Sequence, residues 1–182
     1  VGTFKECDDT KKKVHNLIRV EDSRGTPQFG LQLDGNRGEL QFNYVDESGR
    51  PASTIFRNEV DRLGDCRYHM MHMVVADDNV RLYIDCKEVE SKSGVRTGPI
   101  STDGRIILAK QDDGRNTVDM VYQTLEVDSD IGRAENDLGA CAELQIGGPD
   151  TIGLPTVGPT AFYEGICLEI KVDWDVRDLH SF

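Results

Sequence analysis

Five cysteines, Cys7, Cys66, Cys86, Cys141 and Cys167, are the residues best equipped for chemistry in this chain of 182 residues. The nearest pair, Cys66 and Cys86, lies twenty positions apart, so neither a CxxC redox pair nor a zinc-knuckle spacing exists. Cysteines spread this widely through a β-rich chain favour structural disulfides and an oxidising, extracellular setting. Cys7 and Cys66 stand at the ends of strands that can be neighbours, and they form one expected disulfide. The odd count leaves one thiol buried as a small hydrophobe or paired outside the chain.

The other chemically capable side chains point to binding and not to catalysis. His69 and His72 are three apart on an expected strand, which puts them on opposite faces and argues against a zinc held between them. Asp34, Asp77-Asp78 and Asp112-Asp113 fall in or beside turns. Carboxylates so placed suit a hard cation, although acidic turns are more often simply solvated. Lys11-Lys12-Lys13, with Lys5, His15 and Arg19 nearby, is the one concentrated basic run, and such a run is usually a solvated turn. No Gly-x-Ser-x-Gly elbow, phosphate loop or His-Glu-x-x-His motif occurs. Two well-placed acids would suffice for glycoside hydrolysis, and nothing singles out such a pair. There is no Asn-x-Ser/Thr sequon.

The net charge of -12 argues against a general nucleic-acid binder, which needs a basic face. The chain is 37% hydrophobic and 30% charged, which suits a globular domain with a polar surface. No run approaches the ~20 apolar residues of a membrane helix, so no membrane insertion is expected. The opening residues from Val1 carry no signal-peptide pattern. The chain therefore reads as processed or as a fragment, and its compartment is judged from the cysteines.

These residues must be positioned by strands. The chain is organised around Asn79 to Glu90, where Val80, Leu82 and Ile84 alternate with Arg81, Tyr83 and Asp85 in a half-buried strand that runs into Cys86. A polar loop from Ser91 to Gly98 and a strand from Arg105 to Ala109 follow. Upstream, Phe29, Leu31 and Leu33 share one face, as do Leu40, Phe42 and Tyr44. Short strands about every ten residues, separated by Gly, Asp, Asn and Pro turns, predict an all-β antiparallel sandwich of the jelly-roll kind. One short helix is expected over Asp130 to Cys141, from Ala134, Leu138 and Cys141 on one face. Residues 145–160 are a Gly/Pro-rich linker, and residues 161–182 carry a last strand whose apolar face needs a partner.

Val80-Arg81-Leu82-Tyr83-Ile84-Asp85-Cys86-Lys87-Glu88-Val89-Glu90, then Gly98-Pro99-Ile100-Ser101-Thr102-Asp103-Gly104, then Val127-Asp128-Ser129-Asp130 leading to Cys141, resemble the thrombospondin N-terminal-like domain of the laminin G-like, concanavalin-like sandwiches. Within that group the N-terminal globular domain of type IX collagen is the nearest resemblance. Gln28-Phe29-Gly30-Leu31 and Leu40-Gln41-Phe42-Asn43-Tyr44 match in order and spacing, and the whole likeness covers residues 1–144. The chain departs from the family where Arg67-Tyr68-His69 replaces a usual Trp-His pair. The family's opening elements are also missing at the N-terminus. Cys167-Leu168-Glu169-Ile170-Lys171-Val172 and Asp178-Leu179-His180-Ser181-Phe182 resemble that opening, displaced to the other end. Either the tail completes this sandwich, as in a circular permutant, or it begins a next repeat.

The resemblance implies a disulfide between Cys86 and Cys141, which leaves Cys167 as the odd cysteine, buried or bridging to another copy in a homo-oligomer. It also implies glycosaminoglycan binding, for which Lys11, Lys12 and Lys13 are the candidate contact, and a calcium ion at the sandwich rim, for which Asp34 is the leading ligand. No other cofactor is expected. The expectation is a secreted, non-catalytic module of the extracellular matrix or of cell adhesion, with glycosaminoglycans or matrix proteins as partners. The alternatives are a structural matrix protein cross-linked through its tail and a carbohydrate-binding or carbohydrate-cleaving sandwich.

Overall fold

The computed structural model describes residues 1–7, 12–101, 103–111, 116–128 and 170–172. The strands are β1 (Gly2–Glu6), β2 (Val14–Glu21), β3 (Pro27–Asp34), β4 (Glu39–Val45), β5 (Pro51–Phe56), β6 (Tyr68–Val75), β7 (Asn79–Ile84), β8 (Lys87–Ser93), β9 (Arg105–Gln111), β10 (Met120–Val127) and β11 (Ile170–Val172). They form a six-stranded sheet in the order β11-β10-β1-β6-β7-β8 and a five-stranded sheet in the order β5-β4-β3-β2-β9. All pairings are antiparallel except β10 with β11, which is parallel. The all-β sandwich expected from the alternating pattern is the architecture found.

The core lies between the sheets because each strand turns its apolar alternates inward. Leu33, Leu40 and Phe42 from the five-stranded sheet meet Phe4, Leu82 and Ile84 from the six-stranded one. A short 3-10 turn over Val60–Gly64 inserts Val60 and Leu63 between the sheets, and Leu63 is fully buried. Pro51 opens the edge strand β5, a position where its missing N–H costs no ladder bond.

The strand expected to run into Cys86 is β7, and a second strand, β8, follows it directly. The chain reverses at Asp85 and Cys86, whose φ values of 49° and 67° both lie in the left-handed region, and β8 runs back along β7 through Ser93. The sequence hid this hairpin because neither turn residue is glycine and Val89 is the one apolar residue in β8. The predicted helix over Asp130 to Cys141 lies outside the described residues. Of the predicted last strand, Ile170–Val172 is described.

A disulfide joins Cys7 to Cys66, with Cα atoms 4.2 Å apart. The Cys66 N–H also donates to the Glu6 carbonyl at 2.9 Å, so the end of β1 and the chain entering β6 are tied twice. Cys86 is likewise disulfide-bonded. Cys141 and Cys167 lie outside the described residues.

Candidate functional site

The outer face of the five-stranded sheet carries a groove of about 320 Å³. Leu31, Leu33, Leu40 and Phe42 take the inner positions of β3 and β4, so strand alternation sends Gly30, Gln32, Gln41 and Asn43 outward. Pairing lines these up in two rows. Asn16, Gln32 and Gln41 are cross-strand neighbours in one, and Arg19, Gly30 and Asn43 in the other. Pro27 and Pro51 stand at one end of the groove, where Phe29 and Tyr44 turn their rings to the core.

Two local features make this groove. Asn16 and Arg19 are three apart and would face opposite ways on a regular strand. The β2–β3 register shifts between Asn16 and Ile18, a bulge at Leu17 that turns both side chains outward. Gly30 is the second feature. A Cβ there would lie 2.9 Å from the Ile18 carbonyl oxygen and 3.2 Å from the Arg19 Cα, so the close approach of β2 requires glycine. The absent side chain leaves the floor of the groove open between Arg19 and Asn43.

The polar groups are partly pre-arranged. Gln41 Nε2 donates to Asn43 Oδ1 at 2.7 Å, and Asn16 Nδ2 donates to the Lys110 carbonyl at 3.2 Å. The Gln41 carbonyl oxygen and the Asn43 NH2 have no partner among the described residues. Arg19 Nη2 sits 2.7 Å from Glu21 Oε1, and Arg105 Nε donates to Glu21 Oε2 at 2.8 Å. Glu21 is buried, so its charge is matched on both oxygens. None of the residues lining the groove is Asp or Glu. Sequence reasoning missed this site. Its only signal was the outward alternation of Gln32, Gln41 and Asn43, and the bulge that adds Asn16 and Arg19 has no marker in residue type.

The predicted binding residues lie elsewhere. Lys12 and Lys13 are exposed at the entry to β2, and Asn36 Nδ2 donates to the Lys12 carbonyl at 2.8 Å. Lys11 lies outside the described residues. Asp34 closes the β3–β4 turn: its Oδ1 accepts from the N–H groups of Asn36 and Arg37 at 3.1 and 3.3 Å, and Arg37 Nε stands 3.7 Å from its Oδ2. Among the described residues no group of three or more His, Cys, Asp or Glu is placed to hold a metal. One carboxylate already engaged by a turn and an arginine falls short of the roughly six to eight oxygens that calcium takes. Asp22 and Asp46 also cap turns, and the bonded N–H groups hold both carboxyls below the usual carboxylate range.

His69 and His72 are both buried. His69 is clamped at the end of the six-stranded sheet. Its Nδ1 lies 2.8 Å from Asp85 Oδ2 and its Nε2 lies 2.9 Å from Asp65 Oδ1. Arg62 extends the chain of charges to Asp85 at 3.3 Å and to Glu59 at 2.6 Å. The bond to Asp85 raises the His69 pKa although burial opposes it. Burial is the largest influence on the Asp85 carboxyl and pushes it up, but the bond and charge of His69, the Met70 N–H and the Arg62 charge together hold the group below its ordinary value.

No protein-family model matches the chain. The collagen alpha-1(XXI) chain of Xenopus laevis is 27% identical over 117 residues, 64% of this chain and 12% of that protein. The human collagen alpha-1(XIX) chain is 23% identical over 125 residues, 68% of this chain and 11% of that one. The human collagen alpha-1(XVI) chain is 25% identical over 140 residues, 77% and 8% respectively. This chain is similar to collagen chains. It spans no more than 12% of the length of these relatives. Among solved structures, the binding domain of Paraclostridial Mosquitocidal Protein 1 superposes with a TM-score of 0.50 at 13% identity, over 76% of this chain and 36% of that one. At that identity the likeness is one of fold.

Proposed function

We propose that this chain is a secreted recognition module of the extracellular matrix, which binds glycosaminoglycan or protein partners without chemistry. The observation that carries the reading is the groove on the five-stranded sheet, a concave surface with converging amides and an arginine, of the kind that ligand sites use. The collagen relatives favour a matrix setting, and the disulfide-bonded Cys7, Cys66 and Cys86 favour an oxidising one. Cys141 is the partner we assign to Cys86. Residues 1–144 form the sandwich in this reading, residues 145–160 the linker, and residues 161–182 the tail. The pairing of Ile170–Val172 with β10 supports a tail that completes this sandwich.

The exposed Lys12 and Lys13, with Lys11 beside them in sequence, are the contact we assign to sulfated chains. Calcium at Asp34 has no such support. The test is chemical-shift mapping of the isotope-labelled protein, titrated with a heparin-derived octasaccharide and with a triple-helical collagen peptide. The reading expects shifts at Lys12 and Lys13 with the first, and at the side-chain amides of Gln32, Gln41 and Asn43 with one of the two. Shifts confined to the six-stranded sheet would overturn it.

A further inference from the structure

We infer that the groove on the five-stranded sheet takes a neutral saccharide, as a site separate from the lysine rim. The inference rests on reading that groove as a ligand surface and adds the class of ligand. Its first support is charge. Tyr44 aside, Arg19 is the one ionisable residue lining the groove, and its guanidinium is already matched by Glu21 at 2.7 Å. A sulfated chain, bound by many cations acting together, finds a single compensated one here. No lining carboxylate repels or attracts a charge either. What the groove offers is uncharged hydrogen bonding.

The second support is the chemistry of that hydrogen bonding. A side-chain amide presents an acceptor and two donors in one plane, and a sugar hydroxyl both donates and accepts. Gln32, Gln41 and Asn43 place three such groups on two adjacent strands, beside a buried Asn16 whose NH2 is held by the Lys110 carbonyl. The bond from Gln41 to Asn43 orients two of them and leaves the Gln41 carbonyl oxygen and the Asn43 NH2 for adjacent hydroxyls. Gly30 supplies the third support. The missing Cβ opens the floor between these polar rows, while Pro27 and Pro51 give one end an apolar margin. A peptide would favour a site with a free strand edge or a deep apolar anchor, and this groove lies across the middle of a sheet.

The experiment applies the whole chain to an array of neutral mannose-, glucose- and galactose-based oligosaccharides, with heparin fragments and a triple-helical collagen peptide alongside, at 0.15 and 0.5 M salt. Wild type is compared with the double variant Gln32→Ala/Asn43→Ala and with Lys12→Ala/Lys13→Ala, each checked for an unchanged far-ultraviolet spectrum and melting point. The inference expects retention on neutral glycans that survives high salt, falls at least tenfold in Gln32→Ala/Asn43→Ala and is unchanged in Lys12→Ala/Lys13→Ala. Binding to sulfated fragments alone, or neutral binding that persists in the groove variant, overturns it. If no glycan binds but attachment to triple-helical collagen is lost in the groove variant, the groove stands as a protein site and the saccharide is refuted. If the groove variant changes nothing, both readings fall.

Discussion

The Tyr122 hydroxyl donates to the carbonyl oxygen of Leu17 at 2.7 Å, reaching from the six-stranded sheet to the bulge in the five-stranded one. That carbonyl belongs to the residue whose extra place in β2 turns Asn16 and Arg19 to the same side. A bond across the core therefore helps to hold the geometry of the groove on the outer surface. Burial raises the pKa of the phenol well above its ordinary value, so the donor keeps its proton through the working pH range.

Tyr122→Phe removes this bond and little volume. It should cost about 1 kcal/mol of stability, the net worth of a buried hydrogen bond. Urea unfolding should show a lower midpoint with an unchanged slope. An unaltered midpoint would mean that the bulge is held by the strand pairing alone.

Gly30→Ala places a methyl group 2.9 Å from the Ile18 carbonyl oxygen, a backbone atom that cannot step aside without moving β2. The expected loss is roughly 1–3 kcal/mol, as for other overpacked positions, read as a lower thermal midpoint. Gly49→Ala is a useful contrast, because its φ is 75° and nothing lies within 4 Å, so any loss there is backbone strain without a clash.

His69 gives stability a pH profile whose sign follows from its partners. Its folded pKa is raised above the ordinary 6.5, chiefly by the Asp85 bond. Its contribution is therefore complete below 6.5 and lost as pH rises through the folded value. Asp65 and Asp85 are held below 3.8, so theirs is complete above 3.8 and lost as pH falls through their folded values. All three act together between 3.8 and 6.5. Melting curves of wild type and His69→Gln should differ most in that window, and the gap should shrink at higher pH. A gap that stays constant up to pH 9 would show that the imidazole acts by packing and not by charge.

The Cys7–Cys66 disulfide closes a loop with a sequence separation of 59. In the chain-entropy model such a crosslink contributes about 4 kcal/mol. The double variant Cys7→Ser/Cys66→Ser should melt well below wild type under non-reducing conditions. Equal melting points would place the stabilising constraint in the hydrogen bonds of these two strand ends.

The sandwich was legible because alternation is a dense signal. Leu31, Leu33, Leu40 and Phe42 announce both the strands and the face that turns inward. The Asp85-Cys86 hairpin was not legible, since left-handed turns without glycine carry no mark in sequence. Of the candidate sites, Cys7 and Cys66 stood out as residues that can only be judged in pairs, and the fold brings them together. The groove escaped notice because its members are ordinary amides from three strands, joined by register, a bulge and one glycine. The clamp on His69 escaped for a related reason: Asp65, His69 and Asp85 meet only where a turn, a strand end and a hairpin converge.

The claim that the groove on the five-stranded sheet is the recognition surface is tested most directly by surface plasmon resonance. Wild type and Gln32→Ala/Asn43→Ala are passed in parallel over immobilised neutral glycans, heparin and triple-helical collagen. The account predicts at least a tenfold loss of affinity in the variant for one of these probes, with its melting point unchanged. Equal affinity of the two proteins for every probe that binds would contradict it.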